Sequence, residues 1–311
     1  MATEAPGSAA EAAVATAEVA AGAAAEAGAA VAETGAPLPA GVGIGWRPEI
    51  AGWVAGRIAP AFCEVIAESI APAATPRGVV ELRERGIPVV PHGVRLSLGS
   101  TEPVDDRRVA HLAACAAALQ APLVSEHVAF VRAGGREVGH LLPVPRTREA
   151  LDVLAGNIRR TQAELDVPLA LEPIAALFDW PDDEYTEPDF LTALLERTGA
   201  LLLLDVANVY ANAVNRGQDP EAVLDRFPLE RVAYVHVAGG AEHPDDPGLY
   251  HDTHTHPVPS AVLGLVELLV ERTAAAPPIM LERDGRYPSA AELEAELDAI
   301  AAAAGHLAVV R

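Results

Sequence analysis

Carboxylates and imidazoles recur at one kind of place in this chain, the C-terminal end of a short apolar run. Residues 87–92 end in His92, 123–128 carry Glu126 and His127, and 169–172 end in Glu172. Residues 201–205 end in Asp205 with Asn208 shortly after, 232–236 end in His236, and 279–282 end in Glu282 with Asp284 beyond. Residues 62–68 hold Glu64 and Glu68, and only the first run, 41–46, delivers neither type. A separate HDTHTH segment supplies His251, Asp252, His254 and His256; Asp252 and His254 could chelate one ion from an extended loop. Several carboxylates gathered in a low-dielectric mouth repel one another unless a cation joins them. Mixed imidazole and carboxylate donors suit iron, manganese or zinc rather than magnesium or calcium.

Composition narrows the other chemistries. All 22 Lys+Arg residues are Arg, so no Schiff-base lysine and no Walker A phosphate loop exist, and the cation in such a mouth is Arg or a metal. Two cysteines, Cys63 and Cys115, cannot alone build a four-thiolate site or a disulfide framework, which fits a reducing cytoplasm. Both read as packing residues rather than nucleophiles. Glu64 and Glu68 read as partners of Arg in structural salt bridges. A net charge of -22 argues against a protein that grips nucleic acid through its phosphates. No apolar run is long enough and free enough of charge to span a membrane.

The elements that position these residues follow from hydrophobic pattern. Val-, Leu- and Ile-rich runs alternate with amphipathic stretches such as 105–120, 147–166 and 260–273. That alternation predicts β–α units, and eight of them over residues 37–311 predict an α/β fold, a closed (β/α)8 TIM barrel with helices outside. No glycine-rich dinucleotide fingerprint follows the first run. Residues 1–36, almost all Ala, Gly, Glu, Val and Thr, are expected to be a disordered Ala/Glu-rich tail. In a parallel barrel the strand ends share one rim, where active sites lie. Alternation puts Val90 with His92, Val124 with Glu126, Ala170 with Glu172, Leu203 with Asp205, Tyr234 with His236 and Met280 with Glu282 on common faces. If the apolar member points inward, so does its partner. His127 has the opposite parity to Glu126, so only a twist at the strand end would bring both inward.

The blocks PHGVRLSLGS, LVSEHVAF, LALEPI, LLLLDVANVY, YVHVAGG and HDTHTHPVP, in this order, resemble the DUF692 family. Its characterised members are multinuclear non-heme iron-dependent oxidases of the wider xylose isomerase and endonuclease IV-like superfamily. The resemblance implies two or three irons (Fe2+/Fe3+) at the strand ends and O2 as co-substrate. It implies oxidation of cysteine residues in a ribosomally synthesised precursor peptide, with a small partner protein that presents that peptide. By the same resemblance, His92 and Glu172 hold the first metal with Glu126 or His127. Glu172 bridges to a second metal held by Asp205, His236 and Glu282, while Asn208, Asp252 and His254 hold a third. Glu126, Asp205 and His236 are the expected catalytic set. The chain departs from the family pattern at Ser69, Pro173 and Ala207, where members carry Asn, and at Gly240, where they carry His. Two further readings stand beside the oxidase: a metal-dependent hydrolase or isomerase of the same superfamily, and a non-catalytic metal-binding module.

Overall fold

The computed structural model describes residues 38–309; the expected tail, 1–36, lies outside the described residues. In chain order the first elements are β1 (Val42–Gly45), α1 (Ala51–Arg57), β2 (Cys63–Ile66), α2 (Arg77–Glu84), β3 (Val89–Gly93) and α3 (Asp106–Leu119). There follow β4 (Val124–His127), β5 (Ala129–Ala133), β6 (Arg136–Pro143), α4 (Arg148–Gln162), β7 (Leu169–Glu172), α5 (Glu187–Thr198) and β8 (Leu201–Asp205). The remainder is α6 (Val206–Asn215), α7 (Pro220–Leu224), β9 (Val232–Val237), β10 (Ala241–Glu242), β11 (Tyr250–His251), α8 (Ser260–Arg272), β12 (Ile279–Leu281) and α9 (Ala290–Ala304).

Strands β1, β2, β3, β4, β7, β8, β9 and β12 close a barrel, and all its neighbours pair in parallel. Each expected run is therefore a barrel strand. The helices end where local chemistry ends them. Asp105 caps α3 by accepting from the Arg107 N–H, and Gln120 closes it in the left-handed region. Ser289 and Glu292 form a reciprocal capping box at α9, which Gly305 terminates.

Two layers fill the barrel. The lower is apolar: Phe62, Val90, Leu123, Ala170, Leu203, Tyr234 and Met280 pack together with Leu38. Two residues further along each strand, the same inward faces carry Glu64, His92, Ser125, Glu172, Asp205, His236 and Glu282. The apolar floor thus fixes the direction in which every polar side chain above it points. On β1 the inward positions are Gly43 and Gly45; a Cβ on Gly43 would meet the Phe62 ring at 2.8 Å, so the floor leaves no room there.

Two antiparallel hairpins interrupt the barrel pattern, β5–β6 after β4 and β10–β11 after β9. The eightfold reading of the chain does not contain them. Both sit on the C-terminal side of a strand, where they extend the rim.

Both thiols are fully buried. Burial pushes Cys63 up to about 12 and Cys115 up to about 11, and the Cys115 thiol donates to the Ala67 carbonyl at 3.6 Å. Neither is poised as a nucleophile. Iodoacetamide at pH 8 is expected to leave both unmodified in the native protein and to alkylate both after denaturation; mass spectrometry reads the difference, and native labelling of Cys63 would contradict this packing.

Candidate metal centre

Four groups of His, Asp and Glu side chains place ligand atoms within 4.8 Å of one another at the rim. The first is His92, His127 and Glu172; the second is Glu172, Asp205, His236 and Glu282. The third is Asp205, Asp252 and His254, and the fourth is His254, Glu282 and Asp284. Shared members join the groups into one string.

Glu172, at the end of β7, is the hinge between the first two. Its Oε2 lies 3.4 Å from His92 Nε2 and 3.3 Å from His127 Nε2, while its Oε1 lies 3.4 Å from His236 Nδ1. One carboxylate therefore offers an oxygen to each group. Burial alone would push its carboxyl up, but His127, His236 and His92 outweigh that and hold it down at about 2. Reciprocally, burial pushes the His127 imidazole down, and Glu172 and Glu126 more than reverse this, taking it to about 9.

Asp205 ends β8 and begins α6. Its Oδ1 caps the helix, accepting from Ala207 N–H at 2.6 Å and Asn208 N–H at 3.0 Å. Its Oδ2 is buried with no hydrogen-bond partner. Burial, then the neighbouring Asp252 carboxylate, push Asp205 well above the usual carboxylate range, so its charged form needs a cation beside it. Asp252 and His254 come from the HDTHTH loop, with His254 Nε2 2.5 Å from Asp252 Oδ2. His254 sits at φ +53°, in the left-handed region, where the loop turns its ring inward. His251 and His256 stay out of every group, and His256 Nδ1 pairs instead with Thr253 Oγ1 at 2.7 Å.

Buried atoms without partners test whether a metal fits. Glu172 Oε2, Asp205 Oδ2, His236 Nδ1 and Asp252 Oδ1 all lack one, and all belong to the groups above. Buried polar atoms ordinarily find partners. Converging carboxylate oxygens and imidazole nitrogens suit a bound cation, and the donor set is of the iron, manganese and zinc type. Backbone partners fix the rings from behind: His127 Nδ1–H donates to the Gly93 carbonyl at 3.2 Å, leaving Nε2 toward Glu172.

Two expectations need correction. Glu126 does not turn inward. On β4 it is Leu123 that joins the barrel floor, so Ser125 and His127 share its face and Glu126 takes the other. Both Glu126 oxygens are occupied by backbone donors, Oε2 by Leu96 N–H at 2.9 Å and Oε1 by His127 N–H at 2.8 Å, and Glu126 belongs to no ligand group. Its surroundings give it no contact with Asp205 or His236, the other two members of the expected catalytic set. Nor do Glu64 and Glu68 pair with Arg: Glu64 accepts from Tyr234 and His236, and Glu68 accepts from Val94 N–H. Asn208 lines the mouth beside Asp252 and His254, and its amide nitrogen donates to the Pro173 carbonyl at 3.1 Å. Position 173 thus contributes through its carbonyl, which a proline retains. At Gly240 a Cβ would meet the His251 carbonyl at 2.5 Å and the Tyr250 ring at 2.6 Å, so no side chain fits there.

Arg47 was not foreseen. It follows β1, is 8% exposed, and places Nη2 2.6 Å from Asp284 Oδ1 and 3.6 Å from Glu282 Oε1. Nothing marks it in sequence, because its acidic partners lie more than two hundred residues away.

The mouth is a cavity of about 250 Å³ lined by His127, Glu172, Asn208, Asp252 and His254 among others, with Leu141 of β6 and Ile174 and Ala175 after β7. The β7–α5 loop that carries Ile174 is clamped by Asp179, which accepts from Arg146 at 2.9 Å and from Arg216 at 2.7 and 2.8 Å.

Comparison with known proteins agrees with this arrangement. The family model described as RiPP precursor modification enzyme MbnB/TglH/ChrH matches residues 41–305, and the chain belongs to that family. A UPF0276 protein of Streptomyces avermitilis is 54% identical over 267 residues, covering 84% of this chain and 54% of that relative, so the chain spans about half its length. A UPF0276 protein of Rhizorhabdus wittichii is 40% identical over 244 residues, 77% of this chain and 85% of the relative. Among solved structures, a xylose isomerase domain protein from Planctomyces limnophilus superposes with TM-score 0.56 at 13% identity, covering 86% of this chain and 97% of that one. Endonuclease IV from Thermus thermophilus gives 0.52 at 18% identity, covering 84% and 98%. These two likenesses are of fold. Among the described residues no helix is long and apolar enough to cross a membrane.

Hydrogen bonds from Arg216, aided by Arg146, hold the Asp179 carboxyl down at about 2, below its ordinary 3.8. A depressed folded value adds stability that is present above 3.8 and lost as pH falls through about 2. Because the clamp is partly exposed, Asp179→Asn is expected to cost about 1 kcal/mol or less at pH 7. Urea melts at pH 7 and pH 2 check this: the gap between wild type and variant closes at the lower pH, and a gap that widens would contradict the clamp.

Proposed function

We propose that this protein is a multinuclear non-heme iron-dependent oxidase that uses O2 to modify cysteine residues of a ribosomally synthesised precursor peptide. The observation that carries the reading is Glu172, whose two oxygens serve two adjacent ligand groups. A carboxylate shared in this way would suit a multinuclear centre, and membership of a precursor-modifying family supplies the peptide.

His92, His127 and Glu172 are the proposed ligands of one iron, and Glu172, Asp205, His236 and Glu282 of a second. Asp205, Asp252 and His254, with Asn208 beside them, are the proposed surroundings of a third. Bound iron supplies one-electron chemistry with O2, which no side chain of this chain can perform. The chain's own residues do the rest. Asp205 Oδ1 stays on its helix cap, which leaves Oδ2 free of any hydrogen bond beside the Asp252 and His254 group. Leu141, Ile174 and Ala175 keep the approach partly apolar and displace water around an entering side chain. The cavity is smaller than the roughly 300–1,000 Å³ of whole-ligand pockets. It therefore admits one side chain and its backbone rather than a folded partner. A net four-electron oxidation balances when the peptide gives up four electrons and four protons and O2 takes up both as two waters. A small peptide-presenting protein is the proposed second partner, since the short mouth leaves most of a precursor unheld.

The test is direct. Protein purified under iron supplementation is expected to contain iron by elemental analysis and to consume O2 with a Cys-bearing precursor peptide, whose mass falls by hydrogen loss. Glu172→Gln is expected to lose most of the iron and at least about a hundredfold in rate, as loss of a bridging ligand implies. A protein that holds only zinc and stays inert after iron reconstitution would refute the proposal.

A further inference from the structure

Beneath the mouth a single hydrogen-bonded chain connects two of the histidines. His92 Nδ1 lies 2.8 Å from Ser125 Oγ, and Ser125 Oγ lies 2.7 Å from the Tyr234 hydroxyl. That hydroxyl is 2.6 Å from Glu64 Oε2, and the same oxygen is 2.9 Å from His236 Nε2. Glu64, Ser125, Tyr234 and His236 are each 0% exposed, and His92 is 2% exposed, so the chain is shielded from bulk solvent. Glu64, Ser125 and Tyr234 belong to no ligand group.

Counting hydrogens gives the chain a direction. Glu64 Oε2 lies within hydrogen-bond distance of a phenol and an imidazole nitrogen and accepts from both. The Tyr234 hydroxyl has one hydrogen and gives it to Glu64, so toward Ser125 it accepts. Ser125 then spends its one hydrogen on Tyr234 and accepts from His92, which places the His92 ring hydrogen on Nδ1. From the other side, His236 gives its Nε2 hydrogen to Glu64. Both rings are left with a bare nitrogen facing carboxylates: His92 Nε2, 3.4 Å from Glu172 Oε2, and His236 Nδ1, 3.1 Å from Glu282 Oε2 and 3.4 Å from Glu172 Oε1. His236 Nδ1 has no hydrogen-bond partner. Bare nitrogens aimed at carboxylate oxygens repel unless a cation lies between them, and this direction of the chain leaves both positions open to a metal. Run the other way, with Ser125 donating to His92, the hydrogen moves to His92 Nε2 and blocks that position.

We propose that Glu64, from outside the ligand set, positions the imidazoles of two adjacent metal sites at once, with Tyr234 and Ser125 carrying its polarity to the more distant one. This rests on the metal reading above, but its test needs no turnover. Glu64, Tyr234 and Ser125 are positioning residues, and they act unequally. Tyr234→Phe or Ser125→Ala cuts the link to His92 and leaves the Glu64–His236 bond in place. Glu64→Ala removes both.

The experiment titrates metal-free protein with Zn2+ alone as a diamagnetic probe, by calorimetry, with circular dichroism confirming that each variant is folded. Tyr234→Phe and Ser125→Ala are each expected to weaken one class of site about 10–100-fold and leave the other unchanged. Glu64→Ala is expected to weaken two classes. In proton NMR of the Zn2+-loaded protein, the far-downfield imidazole N–H of His92 is expected to shift in Tyr234→Phe while that of His236 stays. Equal weakening of both classes by Tyr234→Phe, no weakening by either Tyr234→Phe or Ser125→Ala, or loss of a single class in Glu64→Ala would each overturn the proposal. The first two variants decide the matter even if Glu64→Ala does not fold. Normal Zn2+ behaviour with no peptide oxidation would leave this positioning intact and sink only the oxidase reading.

Discussion

Everything at the rim answers to one constraint: too many carboxylates are buried too close together. Glu64, Glu172, Asp205 and Glu282 are all at most 6% exposed, and Asp252 stands beside them. An isolated buried carboxylate costs several kcal/mol, and like charges add to that. The chain has no lysine to spend on the problem. What it supplies instead is Arg47 against Glu282 and Asp284, and imidazoles against Glu172 and Glu64. Asp252 has His254 Nε2 at 2.5 Å from its Oδ2, whereas Asp205 is met only by the Ala207 and Asn208 N–H groups on Oδ1, and burial together with Asp252 pushes it well above the usual carboxylate range. The unmet charge thus centres on Asp205, whose Oδ2 has no partner, with Glu172 Oε2 and Asp252 Oδ1 also unpartnered in the neighbouring groups.

The barrel makes this concentration possible without loss of order. Parallel strands bring their C-terminal ends to one rim, and register sets which ends are neighbours. His127 stands opposite Glu172 in one strand pair, and Asp205 opposite His236 in another. The apolar floor below holds the strands' inward faces in phase. Tyr234 belongs to both layers, its ring packed edge-on to Phe62 and its hydroxyl in the polar network above. The two hairpins and the loop after β7 then narrow the rim into a mouth, so that one side of a cyclic fold differs from the other.

Much of this was legible in the residues. Regular alternation of apolar runs and amphipathic stretches gave eight barrel strands, and on five of the six paired strands the inward partner of each polar residue was correctly read, from Val90 with His92 to Met280 with Glu282. Strand β4 failed because Leu123 and Val124 are both apolar. Alternation there fixes which residues share a face but leaves undecided which face is inward. The β5–β6 hairpin carries no floor-facing pattern, because β6 is largely exposed and Gly134 and Gly135 break the run, and β10 and β11 are only two residues each.

What the sequence alone determined is the inventory: a barrel's worth of strands, the polar residues that end them, and the absence of lysine, all properties of local order along one chain. What only the tertiary structure decided is pairing. That Glu64 serves His236 and not an Arg, that Glu126 binds backbone while His127 faces Glu172, and that Arg47 neutralises Asp284 depend on contacts between residues far apart in sequence. Periodicity has no information about such contacts, because strand phase and neighbour identity are set by how the whole barrel closes on its core.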